Sequence, residues 1–379
     1  MSMEIPVVCS PVGVNRKIVT EGVNGFVAQR PEEWVEKISL LLSDPALRRR
    51  IGREGRRTVE AHYSVRENAS RFFEILELAE REKSQKDALR FSRLQQMTQR
   101  SFDYQWTHFA DMVPANEDHF LNYIYPVRPE FFRGKLGLDA ACGFGRHLYY
   151  AAGYGARHMV GMDFSNAIFT ARETNRARAN ISLVKGDIYR MPFKRGVFDF
   201  IYSLGALHHL PEPQEGFRSL MDFIKPGGAV AIWVYSKERR FVNFLTERVR
   251  SLTRRIPLPT LMKISFLFTC IDYFVFILPY SLLRRFSLVE KIAFSRVKLY
   301  ARFPFFVCYA DWFDRFSAPV RHYFNRGELE DWARRVGLKN VLITPTGKYG
   351  WRLYGERAPA VEGEVQAGLS SLAQRRAAS

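Results

Sequence analysis

The feature that most constrains this chain is Leu136–His147, which reads L-G-L-D-A-A-C-G-F-G-R-H. A short apolar run closes on Asp139. Two small residues, a Cys and two glycines then lead into a helical pattern. A β-strand that hands over to a helix in this way builds a loop around a ligand that touches backbone. Gly143 and Gly145 lack the Cβ atoms that would block close approach, and they admit positive φ. The amides that open the next helix point at whatever occupies the loop. The loop alone does not choose its ligand; residues at fixed distances downstream do.

From Leu136 onward, strand and helix patterns alternate with short connections. Strands are expected at Leu136–Asp139, at His158–Met162 closing on Asp163, and at Ile181–Lys185 closing on Gly186-Asp187. Two more are expected at Phe198–Ser203 and Ala229–Tyr235, and a final antiparallel hairpin at Val341–Thr344 and Trp351–Tyr354. Such alternation predicts a largely parallel sheet covered on both faces. Asp163 follows Gly145 by eighteen residues and sits at the tip of the adjacent strand. A carboxylate there can accept both ribose hydroxyls of a nucleoside whose tail crosses the glycine loop. Three details decide what that tail is. Asp139 would repel a pyrophosphate but attract an ammonium. Asp187 is placed to accept from an adenine amino group. Gly143-Phe144-Gly145 lacks the further G-x-x-G spacing that seats a pyrophosphate. A cation-bearing nucleoside fits this pattern and a dinucleotide does not.

Over residues 95–358 the chain resembles the class I S-adenosylmethionine-dependent methyltransferases. The resemblance rests on Asp139–Gly145, Gly161-Met162-Asp163, Lys185–Ile188, Ser203–Leu210 and Leu220–Gly228. It implies an α/β, Rossmann-like seven-stranded sheet with S-adenosyl-L-methionine as cofactor. The matching cofactor-binding positions are Asp139, Ala141, Gly143, Gly145, Asp163, Phe164, Asp187, Ile188 and Ser203. Ala141 departs from the family, which usually has glycine there. Methyl transfer from a sulfonium is an in-line displacement on an activated carbon, so the protein needs alignment and dryness more than a nucleophile. A base is required only if the acceptor must lose a proton. His208 and His209 follow the fourth strand at the edge where acceptor meets cofactor, and either could be that base or a structural plug. Asp311, Trp312, His322 and Tyr323 rank below them. No metal is expected, because Cys9, Cys142, Cys270 and Cys308 show no ligand-type spacing.

Residues 1–81 form a smaller α/β segment. Ile5–Gly13, Glu21–Phe26, the Asp44-Pro45 helix start and Tyr63-Ser64 resemble the C-terminal end of a GT-B retaining glycosyltransferase. That family's paired glutamates and its acceptor half are not among the matching residues. The resemblance therefore implies a fusion remnant or appendage rather than an independent transferase. A helix from about Ser64 to Lys83 is expected to carry Phe72, Phe73, Ile75 and Leu76 on its apolar side. A polar linker is expected over residues 82–94. Residues 95–135 are rich in aromatics, and Tyr104 and Trp106 either cover one end of the sheet or form a lid over the cofactor.

Residues 236–318 interrupt the sheet as a helical insertion. Between Ser236 and Arg302 lie fourteen Lys or Arg against four Asp or Glu, a large share of the chain's net charge of +18. Within it, Ile264–Leu283 is nearly all apolar and long enough to span a bilayer. The final hairpin belongs to the same sheet, so a single crossing is disfavoured. A hydrophobic lid, or peripheral contact with an anionic membrane face, is expected instead. The acceptor is accordingly read as a small or lipid-linked molecule. Nucleic acid is the disfavoured partner, because Ser203-Leu204-Gly205-Ala206 replaces the loop of adenine amino-methylating enzymes and no Cys follows Pro. The basic charge leaves other RNA open. The alternatives are a non-catalytic subunit with the cofactor fold and a glycosyltransferase-associated protein of glycan biosynthesis. The absence of a signal-type N-terminus and of paired cysteines suggests the cytoplasm, or its membrane face. Residues 359–379 are expected to be disordered.

Overall fold

The computed structural model describes residues 1–359 and divides into two compact units, Met1–Arg90 and Phe91 onward. The tail expected to be disordered lies, apart from Pro359, outside the described residues. In the first unit, β1 (Val8–Cys9) pairs in parallel with β2 (Phe26–Val27). Of the apolar run from Ile5, only Val8–Cys9 pairs as a strand. Helices α1 (Asn15–Ile18), α2 (Pro31–Ser43) and α3 (Pro45–His62) complete the unit around Phe26, Leu41 and Ile51. The Asp44 carboxylate caps α3 by accepting from the Ala46 and Leu47 amides, both at 2.9 Å.

Val65–His108 is one α-helix, α4. The stretch expected as a linker, residues 82–94, continues it without a break. Its Glu, Lys, Gln and Ala residues favour helix. The neighbouring pairs Glu77–Arg81 and Glu82–Lys86 lie one turn apart at 3.6 and 3.5 Å. Phe72, Phe73, Ile75 and Leu76 stay exposed on this helix.

The second unit holds the seven-stranded sheet. After α5 (Ala115–Ile124) come β3 (Leu136–Ala140), α6 (Arg146–Gly153), β4 (His158–Asp163), α7 (Ala167–Thr174) and β5 (Ile181–Lys185). These are followed by β6 (Phe198–Leu204), α8 (Pro213–Met221) and β7 (Ile224–Tyr235). The strand order is β5-β4-β3-β6-β7-β9-β8, with β8 (Leu338–Thr346) and β9 (Gly350–Arg357) forming the antiparallel closing hairpin. Along β7, Val230, Ile232 and Val234 face one core, and Ala229, Ala231 and Trp233 face the other. Burial on both sides is why these strands read as unbroken apolar runs. The order reverses at β3, which lies between β4 and β6, so a crevice opens at the carboxyl ends of these strands.

The insertion leaves β7 through α9 (Arg240–Thr253) and α10 (Leu258–Asp272). A π-helical turn (Tyr273–Ile277) joins α10 to α11 (Leu278–Leu283). Helices α12 (Ser287–Ile292), α13 (Ser295–Tyr300) and α14 (Phe305–Ser317) follow, and α15 (Arg326–Arg335) returns to the sheet. At the start of α15, Asn325 and Glu328 form the expected reciprocal cap, with bonds of 2.9 and 2.8 Å. The insertion packs on a core of Leu261, Phe313, Phe316 and Phe109, the last just beyond α4. Arg250 is fully buried and its Nε donates to the Ala318 carbonyl at 3.1 Å. The run Leu258–Leu283 is long and apolar enough to cross a membrane, yet only 28% of its most apolar stretch is buried. Its single acid, Asp272, turns inward to accept from Arg296 and from the Trp312 indole.

Ala141 sits in the left-handed region at φ 65, where an L side chain is strained. The loop holds it there, because the Ala141 and Cys142 amides both donate to the Met162 carbonyl, at 2.7 and 3.0 Å. Glycine would adopt this conformation freely, at the cost of a floppier unfolded chain. Ala141→Gly is therefore expected to raise the unfolding free energy by about 0.5–1 kcal/mol. Urea unfolding midpoints measure this, and a loss of stability would contradict the strain.

Candidate active site

The site is built on the ends of β3, β4 and β5. The carboxylate of Asp163 is buried at the tip of β4. Its Oδ2 accepts from the Gly143 amide at 2.8 Å, and its Oδ1 from the Ser165 amide at 2.8 Å and from the Ser165 hydroxyl. One side chain thereby holds both the glycine loop after β3 and the turn into α7. Gly143 has φ 54, and a Cβ there would lie 3.2 Å from the Trp106 indole nitrogen. Gly145 has φ 79, and a Cβ there would lie 2.3 Å from Asn175 Nδ2. The first glycine keeps room beside an aromatic wall, and the second lets α6 close against α7. At the end of β5, Asp187 accepts from Gln95 Nε2 at 2.7 Å and from the Tyr189 amide at 3.0 Å.

A cavity of about 960 Å³ opens over this edge. Of the residues expected from the sequence, Ala141, Gly143, Asp163, Phe164, Asp187, Ile188 and His209 line it. Asp139, Gly145, Ser203 and His208 sit behind its wall. Asp139 is almost wholly buried, and its Oδ2 has no hydrogen-bond partner among the described residues. Burial pushes its carboxyl up to about 8, Tyr202 opposes this, and nearby Asp163 adds to it. Ser203 points into the strand interior with its hydroxyl unpartnered, so Leu204, Gly205 and Ala206 form the wall in its place.

The two histidines separate clearly. His208 is fully buried against Tyr235, with ring centroids 3.9 Å apart, and neither ring nitrogen has a partner. His209 borders the cavity, and its Nδ1 lies 2.8 Å from the Val320 carbonyl. A carbonyl only accepts, so Nδ1 carries the proton and Nε2 keeps its lone pair. Burial lowers His209 to about 4, which leaves it neutral at physiological pH. Among the other candidates, Asp311 and Tyr323 line the cavity, whereas Trp312 and His322 do not.

Further residues line the cavity, and of these Trp106 was the one expected from the sequence as a candidate lid. Gln95, Gln99, Phe102 and Trp106 lie along one face of α4 and cover the cleft. Their spacing of four, three and four residues is a helical stripe that could have been read. Trp106 packs over Phe144 at 5.2 Å, while Tyr104 turns away to pack near Phe313 at 5.7 Å, so the expected aromatic pair divides between lid and core. His119 and His147 also line the cavity, and burial lowers His119 to about 3. Arg146, the residue after the glycine loop, lines it as well, with no ion pair or hydrogen bond among the described residues. Burial depresses its guanidinium, partly opposed by Tyr123 and Asp139. Among the described residues, no cluster of His, Cys, Asp or Glu could hold a metal ion.

With this geometry in place, the likeness to known proteins falls on the same residues. A methyltransferase-domain family model matches residues 138–232, and a model of group 1 glycosyl transferases matches residues 1–58. A sterol 24-C-methyltransferase of Schizosaccharomyces pombe is 26% identical over 141 residues, 36% of each chain. A tRNA U34 carboxymethyltransferase of Psychromonas ingrahamii is 31% identical over 30% of this chain and 34% of its own. Phosphoethanolamine N-methyltransferase 2 of Caenorhabditis elegans is 27% identical over 35% of this chain and 31% of its own. The chain thus spans about a third of the length of the curated relatives it matches. A solved SAM-dependent methyltransferase from Aquifex aeolicus aligns over 67% of this chain and 97% of its own, at 16% identity and a TM-score of 0.38. The glycine loop and strand-end acids thus fall within the stretch of this chain that matches a methyltransferase domain, behind a stretch that matches group 1 glycosyl transferases.

Proposed function

We propose that the chain transfers a methyl group from S-adenosylmethionine to a hydrophobic small or lipid-linked acceptor. The observation that carries this reading is the continuity of the cavity. It runs from Asp163 and Asp187 at the sheet edge to Phe294, Leu299, Phe303 and Phe306 of the insertion. One end suits a nucleoside and the other an apolar chain.

The residues fit the cofactor. Asp163 and Asp187 can accept from ribose hydroxyls and an adenine amino group while keeping their present bonds, since each carboxylate has spare lone pairs. Beneath the loop, Asp139 has an uncompensated oxygen, and beside it Arg146 has an uncompensated guanidinium. The carboxylate of an amino-acid tail would answer Arg146 directly, and its ammonium would act on Asp139 through the loop. The bound sulfonium supplies the activated methyl carbon. The chain's own part is to hold the acceptor in line and exclude water, through Phe102, Trp106 and the insertion. His209, with Nε2 left as the acceptor, can take a proton if the acceptor must lose one.

Charge and exposure of the insertion support delivery from a membrane. Phe266, Phe268, Phe274, Phe276, Leu288 and Ile292 are exposed along α10 to α12, in a region rich in Arg and Lys. An anionic bilayer surface is the partner that matches both the apolar face and the positive charge.

Incubation with methyl-labelled S-adenosylmethionine and cell extracts tests the acceptor class. Label should enter the lipid phase; label confined to the aqueous phase would contradict the reading. The Asp139 shift gives a second expectation. A cation beside this carboxyl favours its charged form, so binding below pH 8 must release a proton. Affinity for S-adenosylmethionine is therefore expected to rise between about pH 6 and pH 7.5, by up to about tenfold per pH unit. His119 and His209 are neutral throughout that range, and Asp163, also raised by burial, acts in the same direction. Calorimetry should show a weaker slope for Asp139→Asn, and a flat profile in the parent protein would contradict the assignment.

A further inference from the structure

The cavity is also lined by four guanidinium groups, on Arg239, Arg296, Arg315 and Arg321. Three of them are matched by carboxylates. Arg296 Nη1 pairs with Asp272 at 2.6 Å, Arg315 Nε pairs with Asp311 at 2.6 Å, and Arg321 pairs with Asp314. Arg239, in the turn between β7 and α9, has no ion-pair or hydrogen-bond partner among the described residues. Arg296 is held in place by Tyr300 and Trp312, whose ring centroids lie 4.9 and 5.2 Å from the guanidinium carbon, and its Nη2 is enclosed in the protein without an acceptor among the described residues. Partial burial, and then the charges of Arg315 and Arg296, weigh against the charged form of Arg239, with Asp311 and Tyr300 opposing them. A half-buried guanidinium beside two others gains when an anion answers it.

Two unpartnered guanidiniums thus share one cavity. Arg146, at the glycine loop, is answered by the carboxylate of the cofactor tail. Arg239 lines the cavity with the insertion's arginines, and among the described residues it has no ion-pair or hydrogen-bond partner.

We propose that Arg239 forms an anion site that binds the oxyanion headgroup of the acceptor, an anionic amphiphile whose chain lies along Leu299, Phe303, Phe306 and Val307. This rests on the methyl-transfer reading, since it names the acceptor class of the same cavity. A headgroup held by a guanidinium is fixed in direction as well as in place, because the donors lie in one plane. The apolar walls then leave the acceptor's other end free to approach the methyl donor.

The test uses the full chain saturated with S-adenosylhomocysteine. Dodecyl phosphate, dodecanol and dodecyltrimethylammonium are titrated below their micelle concentrations, with inorganic phosphate as the headgroup alone. Dodecyl phosphate is expected to bind about tenfold or more tightly than dodecanol, and the cationic amphiphile more weakly than either. Arg239→Gln should remove the preference, and Arg239→Lys should keep part of it. Arg172→Gln, an exposed change on α7, should leave it intact. Equal binding of phosphate and alcohol, or equal loss in the Arg239 and Arg172 variants, would overturn the site. Inorganic phosphate binding as tightly as dodecyl phosphate, with the same dependence on Arg239, would overturn the amphiphile and leave free phosphate as the source. S-adenosylhomocysteine affinity is read in the same samples. Its absence alongside Arg239-dependent anion binding would remove the methyl-transfer reading and leave the anion site standing.

Discussion

The Asp163 carboxylate is the point on which the rest of the site depends. It binds the Gly143 amide from one side and the Ser165 amide and hydroxyl from the other. These bonds fasten the loop after β3 to the turn after β4, and the two strand ends with their turns carry most of the cofactor positions read from the sequence. Loss of this carboxylate would free the glycine loop, leave two amides unsatisfied and remove the ribose acceptor together. The strain at Ala141 is sustained by the same construction, since its amide is fixed to the Met162 carbonyl one residue before Asp163.

Around that point the cavity is organised by charges that the chain itself does not neutralise. Asp139 lies behind the glycine loop, Arg146 beside it, and Arg239 lines the cavity with the arginines of the insertion. Each is wholly or partly desolvated, and burial opposes the charged form in all three. Unanswered charges of this kind are costly in a folded protein and commonly mark places where a ligand completes the structure. The apolar helices beyond provide a dry enclosure in which these interactions are strong.

Much of this was legible in the sequence because it is local. Strand-end acids, the glycine loop, the Asn325–Glu328 cap and the closing hairpin are all encoded within a few neighbouring residues. What depended on three-dimensional side-chain direction was not. His208 and His209 are adjacent, and only the short turn at Leu207–His209 decides that His209 borders the cavity while His208 is buried behind it. Ser203 and Leu204 alternate across β6, so the matching serine faces away from the cavity. The linker expected over residues 82–94 reads as polar, yet polarity of that composition is also what a solvated helix requires. Arg239 and Arg296 belong to different elements, and their shared wall arises only from the packing of the insertion. The stripe Gln95, Gln99, Phe102 and Trp106 was readable from its spacing, and its cover over Asp187 and Gly143 is a tertiary fact.

The most direct test of this account is S-adenosylmethionine binding by the intact chain, compared with Asp163→Ala in isothermal titration calorimetry. The account predicts a single site in the parent protein, and at least about tenfold weaker binding once the carboxylate that holds both the loop and the ribose is gone. No binding by the intact chain, or equal binding by a folded Asp163→Ala protein, would contradict it.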